Sequence, residues 1–229
     1  MGHSVAQHLG FDPATYDVMI RRLIPRYDEM LDEVAGAIAE HVPPDAHVLD
    51  LGSGSGRMSE RLVRESRLRV TLVDVDAEML KHAETRLAGV RDRVSFVNGS
   101  FAAALPDCDG AVAALALHHV HDRAAKLDVY RHIHAAIAPG GVLVVADAFV
   151  SESPRLSEPL YRRWAAHLVS GGDSEAEAYA RFAEWAHEDR YYALADELAI
   201  ISSAGFSHAD VKWRVGPIGV VVATNGAPR

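Results

Sequence analysis

The sequence predicts an α/β domain: a doubly wound, mostly parallel seven-stranded sheet, helices on both faces and a helical cap. Three observations carry that prediction. Short β-branched runs alternate with helical patterns through the middle of the chain, as a parallel sheet requires. The first strand breaks into a glycine-rich turn, Asp50-Leu51-Gly52-Ser53-Gly54-Ser55-Gly56, at the start of a helix. Val142-Leu143-Val144-Val145-Ala146 is continuously apolar, the pattern of a strand buried on both faces.

The elements follow in order. His47–Asp50 reads as the first strand and Arg57–Glu65 as the first helix of the alternation. Arg69–Asp74 is the second strand, Ala77–Leu87 the second helix, and Val94–Val97 the third strand. A fourth strand is expected over Gly110–Leu117 and a long helix over His121–Ala138, stopped by Pro139-Gly140-Gly141. After the fifth strand, residues 151–190 form a polar, aromatic-bearing helical insertion without a place in the sheet. A helix over Ala195–Ala204 ends at Gly205, and strands Ala209–Val215 and Ile218–Ala223 close the chain as an antiparallel hairpin turned at Gly216-Pro217. Ahead of the first strand, residues 13–40 read as helix with Leu31, Val34, Ala35 and Ile38 on one face. With the insertion, this segment should cap the active edge of the sheet.

At 229 residues, the chain suffices for one such domain with a full core. It holds 32 acidic against 23 basic residues, a net charge of −9, which argues against a nucleic-acid partner. No apolar run reaches the roughly 18 residues of a membrane span. Met1-Gly2-His3-Ser4 does not open a signal peptide. The single cysteine, Cys108, suits a cytoplasmic protein.

The glycine turn sits at the switch point where open α/β sheets bind ligands. Its third glycine, Gly56, comes one place earlier than the dinucleotide fingerprint demands, since Arg57 holds that position. No Lys-Ser/Thr pair follows, so the turn is not a phosphate-binding P-loop. Asp74 ends the second strand 22 residues after Gly52, placed either to accept both hydroxyls of a ribose or to cap the next helix. A nucleoside without phosphates is thereby favoured over a dinucleotide.

Val48 to Gly56 resembles the nucleotide-binding motif of class I S-adenosylmethionine-dependent methyltransferases. The similarity continues through Val73-Asp74-Val75-Asp76-Ala77-Glu78-Met79-Leu80, Leu115-Ala116-Leu117-His118-His119-Val120, Ile137-Ala138-Pro139-Gly140-Gly141 and Ala204-Gly205-Phe206. The resemblance spans roughly residues 45–225 and implies a Rossmann-like fold in a single domain. Cap helices would occupy 1–44, the cofactor-binding core 45–150, an acceptor cap 151–192, and a closing helix and hairpin 193–229. S-adenosylmethionine is the implied cofactor. Asp50, Gly52, Ser53, Gly54 and Gly56 would face its methionine part, Asp74 its ribose, and Val75 and Met79 its adenine. Gly99, Ser100, Phe101 and Leu115 complete the expected contacts, with Ser100 where the family usually places an aspartate.

Methyl transfer is an in-line displacement that needs alignment above all, and a base only when the nucleophile starts protonated. His118 and His119, at the end of strand four, are the candidates for that base, or are structural imidazoles bonded to backbone. His119-Val120-His121-Asp122 would be a poor metal loop without a second ligand cluster, so no metal is expected. His132 and His134, two apart on a helix, are expected at the surface.

Ile24-Pro25-Arg26-Tyr27 resembles the closing helix of carboxy-S-adenosylmethionine synthases, where the residue matching Tyr27 touches the cofactor. The stretch Gly172–Glu177 and the tail from Ala204 to Trp213 are also similar. That branch reads an extra carboxylate with an arginine that falls here on Phe182, one place from Arg181, and its strand-four asparagine is here Ala114. Both departures argue for an ordinary methyl donor. The acceptor pocket is expected among Tyr16, Arg21, Arg22, Tyr161, Trp164, Trp213 and Arg214. The expected acceptor is a small molecule methylated on O or N; the alternatives are a cofactor-modifying synthase and a methyltransferase of RNA or protein. An aromatic-rich cap could also seat a second subunit.

Overall fold

The computed structural model describes residues 15–64 and 66–226. Seven strands form one sheet in the order β3-β2-β1-β4-β5-β7-β6. They are β1 (His47–Leu51), β2 (Arg69–Asp74), β3 (Val94–Asn98), β4 (Cys108–Ala114), β5 (Ile137–Ala148), β6 (His208–Val215) and β7 (Ile218–Thr224). The first five pair in parallel, whereas β7 runs antiparallel to both β5 and β6. The chain reverses its winding between β1 and β4, so a crevice opens beyond their C-terminal ends.

Two-residue alternation along each strand divides the core between the sheet's faces. Val48, Val112, Val142 and Val144 join one cluster with helices α1 (Tyr16–Leu23), α2 (Tyr27–His41), α3 (Arg57–Arg64) and α4 (Ala77–Arg86). Leu49, Ala111, Leu143 and Val145 join the other, with α5 (Arg123–Ala136) and α8 (Leu194–Ser203). On the first face, α6 (Pro154–Ser170) and α7 (Glu175–Trp185) extend the cluster beyond the sheet through Trp164 and Trp185.

Three expected boundaries move. The single helix over 13–40 is two: Ile24 before Pro25 is extended, Arg26 is left-handed at φ 58°, and residues 13 and 14 lie outside the described part. Strand four runs from Cys108 to Ala114 and stops short of Leu117, because Leu115 takes a positive φ of 55° and Leu117–His119 wind into a 3₁₀ turn. Pro139-Gly140-Gly141 does not stop the long helix, which has ended at Ala136, and these residues lie inside β5. There the strand passes so close to β4 that a Cβ on Gly141 would fall 2.4 Å from the Asp109 carbonyl oxygen.

Trp164 of α6 is 1% exposed and its indole N–H donates to the Leu23 carbonyl at 2.7 Å, fastening the insertion to α1. Asp173, between α6 and α7, accepts from Arg22 of α1 and from Arg181 Nε at 2.7 Å. The N-terminal helices and the insertion therefore form one cap.

Candidate active site

After β1 the main chain turns back on β2, with the Gly52 and Ser53 N–H groups both donating to the Val73 carbonyl, at 2.8 and 3.2 Å. Gly52 needs its φ of 69° for this turn, and a Cβ there would lie 2.5 Å from that of Ala116. Gly56 is likewise pinned, its missing Cβ leaving room for Ala83 of α4.

Asp74 at the end of β2 spans the turn: one oxygen accepts from Gly54 N–H at 2.7 Å and the other from Asp76 N–H at 2.8 Å. The helix cap expected as its alternative role falls to Asp76, which accepts from Glu78 and Met79 N–H. Burial raises the Asp74 pKa, although the N–H donors oppose this. Asp50, 1% exposed, accepts from Ser59 Oγ at 2.6 Å. Burial and the neighbouring charge of Asp74 push its carboxyl up to about 6, against the hydrogen bond from Ser59.

The crevice is a cavity of about 830 Å³, roofed by the cap. At one end lie Asp50, Gly52, Ser53, Gly54, Asp74 and Val75, with Ser100, Phe101 and Leu115 beside them. Tyr16 and Tyr27 also line it, both phenols held neutral by burial. Of the remaining residues expected around a cofactor, Gly56, Met79 and Gly99 stand just behind this wall: Met79 is fully buried, and Gly99 N–H donates to the Asp74 carbonyl. The Ser100 hydroxyl accepts from Ala102 N–H at 3.1 Å.

A latch links this end to the cap. Asp17 of α1 accepts from Ser55 Oγ at 2.9 Å and pairs with Arg86, whose Nε donates to the Ser55 carbonyl at 2.8 Å. No local pattern announces this contact, whose members are 38 and 69 residues apart.

The other end is built from separate segments. Asp147, near the end of β5, accepts from His118 through both of its oxygens, from Nδ1 at 2.6 Å and from the backbone N–H at 3.1 Å. Nε2 of His118 then faces Asp189 Oδ1 at 3.7 Å, and His119 Nδ1 reaches the same oxygen at 3.2 Å. Tyr191 donates to Asp189 Oδ2 at 2.7 Å. Burial disfavours the imidazolium of His118, but the charge and hydrogen bond of Asp147 outweigh it and raise the pKa. Burial likewise opposes the Asp189 carboxylate and is overcome by His119, His118 and Tyr191, which hold its pKa far below normal.

Asp147 was not among the expected site residues, although a charge directly after the apolar run Val142–Ala146 is a local signal. Asp189 and Tyr191, in the connection between α7 and α8, carried no such mark. His121 and Asp122 turn elsewhere: His121 Nε2 meets the Glu188 carbonyl at 2.6 Å and Asp122 caps α5. His132 is exposed at the cavity's edge, whereas His134 packs edge-on against Phe206.

Of the expected acceptor residues, Tyr16 and Trp164 line the cavity and five do not. Arg21 pairs with Asp28 and Arg22 with Asp173. Tyr161 packs on Phe182, Trp213 donates to Glu29, and Arg214 donates to the Gly216 and Phe149 carbonyls.

Residues 48–141 match the family of methyltransferase domains. With the fold and the glycine turn, this defines a class I S-adenosylmethionine-dependent methyltransferase. A carboxy-S-adenosyl-L-methionine synthase of Aeromonas salmonicida is 23% identical over 93% of this chain and 90% of its own. The capped architecture is of that synthase type. An uncharacterized methyltransferase of Mycobacterium tuberculosis is 36% identical over 132 residues, 56% of this chain and 60% of that protein. Human N-acetylserotonin methyltransferase, solved in complex with SAM, shares the fold at a TM-score of 0.63 and 18% identity, over 99% of this chain and 63% of that one. Among the described residues, no helix is long and apolar enough to cross a membrane.

The cradle fits this cofactor. Close packing at Gly52 keeps side chains out of the turn, while Asp74 and the neutral Tyr16 and Tyr27 offer polar groups along the cavity wall. When bound, the cofactor supplies an electrophilic methyl group on a sulfonium.

Proposed function

We propose that the chain methylates O or N of a small-molecule acceptor, seated between the cap and the His118–Asp189 end of the cavity. The observation that carries this reading is the cavity itself: one continuous cavity joins the cofactor cradle to a cluster of titratable groups. At about 830 Å³ it has the size of a pocket for one cofactor and one small partner. Its apolar roof of Ile20, Leu23 and Trp164 favours an acceptor with an apolar body.

The chain's own contribution is alignment and the management of one proton. Alignment can supply roughly 7–11 kcal/mol of the barrier. The acceptor's lone pair bonds to the methyl carbon as the carbon–sulfur bond breaks, and the acceptor's proton leaves. His118 and His119, oriented by Asp147 and Asp189, stand at the end where that proton is released.

The long match to a carboxy-S-adenosylmethionine synthase supports a second reading, in which the cofactor itself is modified. Against it, Phe182 packs with Trp164 and Trp185 at ring-centroid distances of 5.4 and 5.8 Å. Arg181 turns to Asp173 and does not line the cavity. Incubation with methyl-labelled cofactor, in one arm with a panel of hydroxylated and amino acceptors and in another with carboxylic acids able to donate a carboxyl group, decides between them. Label in the acceptor, with S-adenosylhomocysteine accumulating, is the expected result. A carboxylated sulfonium would overturn it.

A further inference from the structure

The acceptor end holds the cluster among the described residues whose three His and carboxylate ligand atoms all lie within 4.8 Å of one another: His118, His119 and Asp189. We propose that His118 Nε2, His119 Nδ1 and the Asp189 carboxylate bind a divalent transition-metal ion, with the remaining coordination positions open to the acceptor.

The first argument is the tautomer. Asp147 takes the Nδ1 proton of His118 in a 2.6 Å hydrogen bond, which directs the Nε2 position at Asp189. With Nδ1 so engaged, Nε2 is the ring atom left to face the Asp189 carboxylate, and an ion entering there would take the place of its proton. At 3.7 Å, that gap exceeds the ~2.7–3.2 Å of an N–H···O bond, so a proton bridges it poorly. An ion bonded at about 2.0–2.2 Å to each atom places neighbouring ligands roughly 3–3.5 Å apart, a small adjustment from the observed 3.7 and 3.2 Å.

The second argument is the support behind the ligands. A ligating imidazole ordinarily gives its other N–H to a carboxylate or carbonyl, and Asp147 fills that role for His118. Tyr191 holds the far oxygen of Asp189, and Arg190 N–H donates to the His118 carbonyl at 2.8 Å, tying the two ligand-bearing segments together. The third is charge and chemistry. Asp147 and Asp189 together balance a divalent ion, and two imidazoles with one carboxylate suit zinc, iron, cobalt or manganese rather than the all-oxygen cages of calcium and magnesium.

The use of such an ion rests on the acceptor reading above: it would make a hydroxyl or amine presented to it more acidic, favouring acceptors that can also ligate, such as enols or vicinal oxygen donors. The site itself does not depend on that reading.

The test uses untagged, chelator-treated full-length protein titrated with Co²⁺ and with Zn²⁺ by calorimetry, Co²⁺ also being followed through its visible absorption. One ion per chain is expected, with absorption bands that shift when an acceptor is added. Asp189→Asn and His119→Ala should each weaken binding by about 100-fold, and Asp147→Asn by roughly 10–100-fold. His208→Ala, on the exposed end of β6, should change nothing. Circular dichroism identifies any variant that fails to fold, and the wild-type titration decides even then. Absence of stoichiometric binding, or binding unchanged in folded Asp189→Asn, overturns the site. Methyl transfer by protein that binds no metal would leave the methyltransferase reading standing while the site fell. Metal binding without any methylated product would do the reverse.

Discussion

The two ends of the cavity are built by different means. At the cofactor end the polar contacts come from one turn and one carboxylate, residues 50–56 and Asp74, on adjacent parallel strands β1 and β2. At the end proposed for the acceptor they come from the turn after β4, the end of β5 and the connection after α7, joined by His118, Asp147 and Asp189. The first end is fixed by backbone geometry and tolerates little change at its glycines. The second is a web of side-chain charges whose members can be altered one at a time. A fixed site for a common donor beside an adjustable one for the acceptor is how one fold serves many acceptors.

If that division is correct, substitutions at the two ends should separate cleanly. The largest effect is expected for Asp74→Ala, which removes a charged acceptor from the position proposed for the ribose. Charge-assisted hydrogen bonds contribute about 1.5–3 kcal/mol each, so cofactor affinity should fall roughly 100-fold or more by calorimetry. Unchanged affinity would remove the ribose assignment. Next comes Asp147→Asn, a positioning change behind His118. It should lower kcat/KM by about 10–100-fold while the cofactor Kd stays within about 2-fold. A parallel loss of cofactor affinity would show that the two ends are one unit.

The same division explains what the sequence made legible. Strands β1, β2 and β7 could be read almost residue for residue because apolar runs and glycine punctuation are local signals. The meeting of the glycine turn with Asp74 was legible because it follows from spacing along adjacent strands. Tyr16 and Trp164 were expected in the acceptor pocket and line the cavity, whereas Arg21, Arg22, Tyr161, Trp213 and Arg214 do not. Tertiary partners decide that outcome: Arg22 is drawn to Asp173, 151 residues away, and Arg214 to the main chain of Phe149. Asp189 lies 70 residues beyond His119, and only the fold of the insertion brings them together.

A smaller effect tests whether the cap reports on the cofactor end. The ion pair of Asp17 with Arg86 is partly exposed, each side chain at 21%, so its electrostatic part alone is worth roughly 0–1 kcal/mol. The hydrogen bond from Ser55 raises the expected total to about 1–2 kcal/mol. Asp17→Ala should therefore speed cofactor dissociation by roughly 5–30-fold in stopped-flow measurements, with a smaller change in association. A change confined to association would mean that the latch steers entry rather than holding the cap shut.

The smallest effect concerns one proton at Asp50. Burial holds its carboxyl at about 6 in the free protein, well above the ~3.9 of an unfolded chain. A group raised in this way is protonated in the folded state while already ionised in the unfolded one, so its contribution to stability declines as pH rises from about 4 to about 6 and is level above that. Cofactor binding works in the opposite direction. The ammonium and sulfonium charges brought to this end favour the carboxylate, so binding near pH 5.5 should expel up to one proton and affinity should rise towards pH 6. Calorimetry in two buffers of different ionisation enthalpy reads that proton directly. It should vanish at pH 8, and in Asp50→Asn at every pH. Release that persists at pH 8 would assign the proton to another group and detach Asp50 from the methionine part of the cofactor.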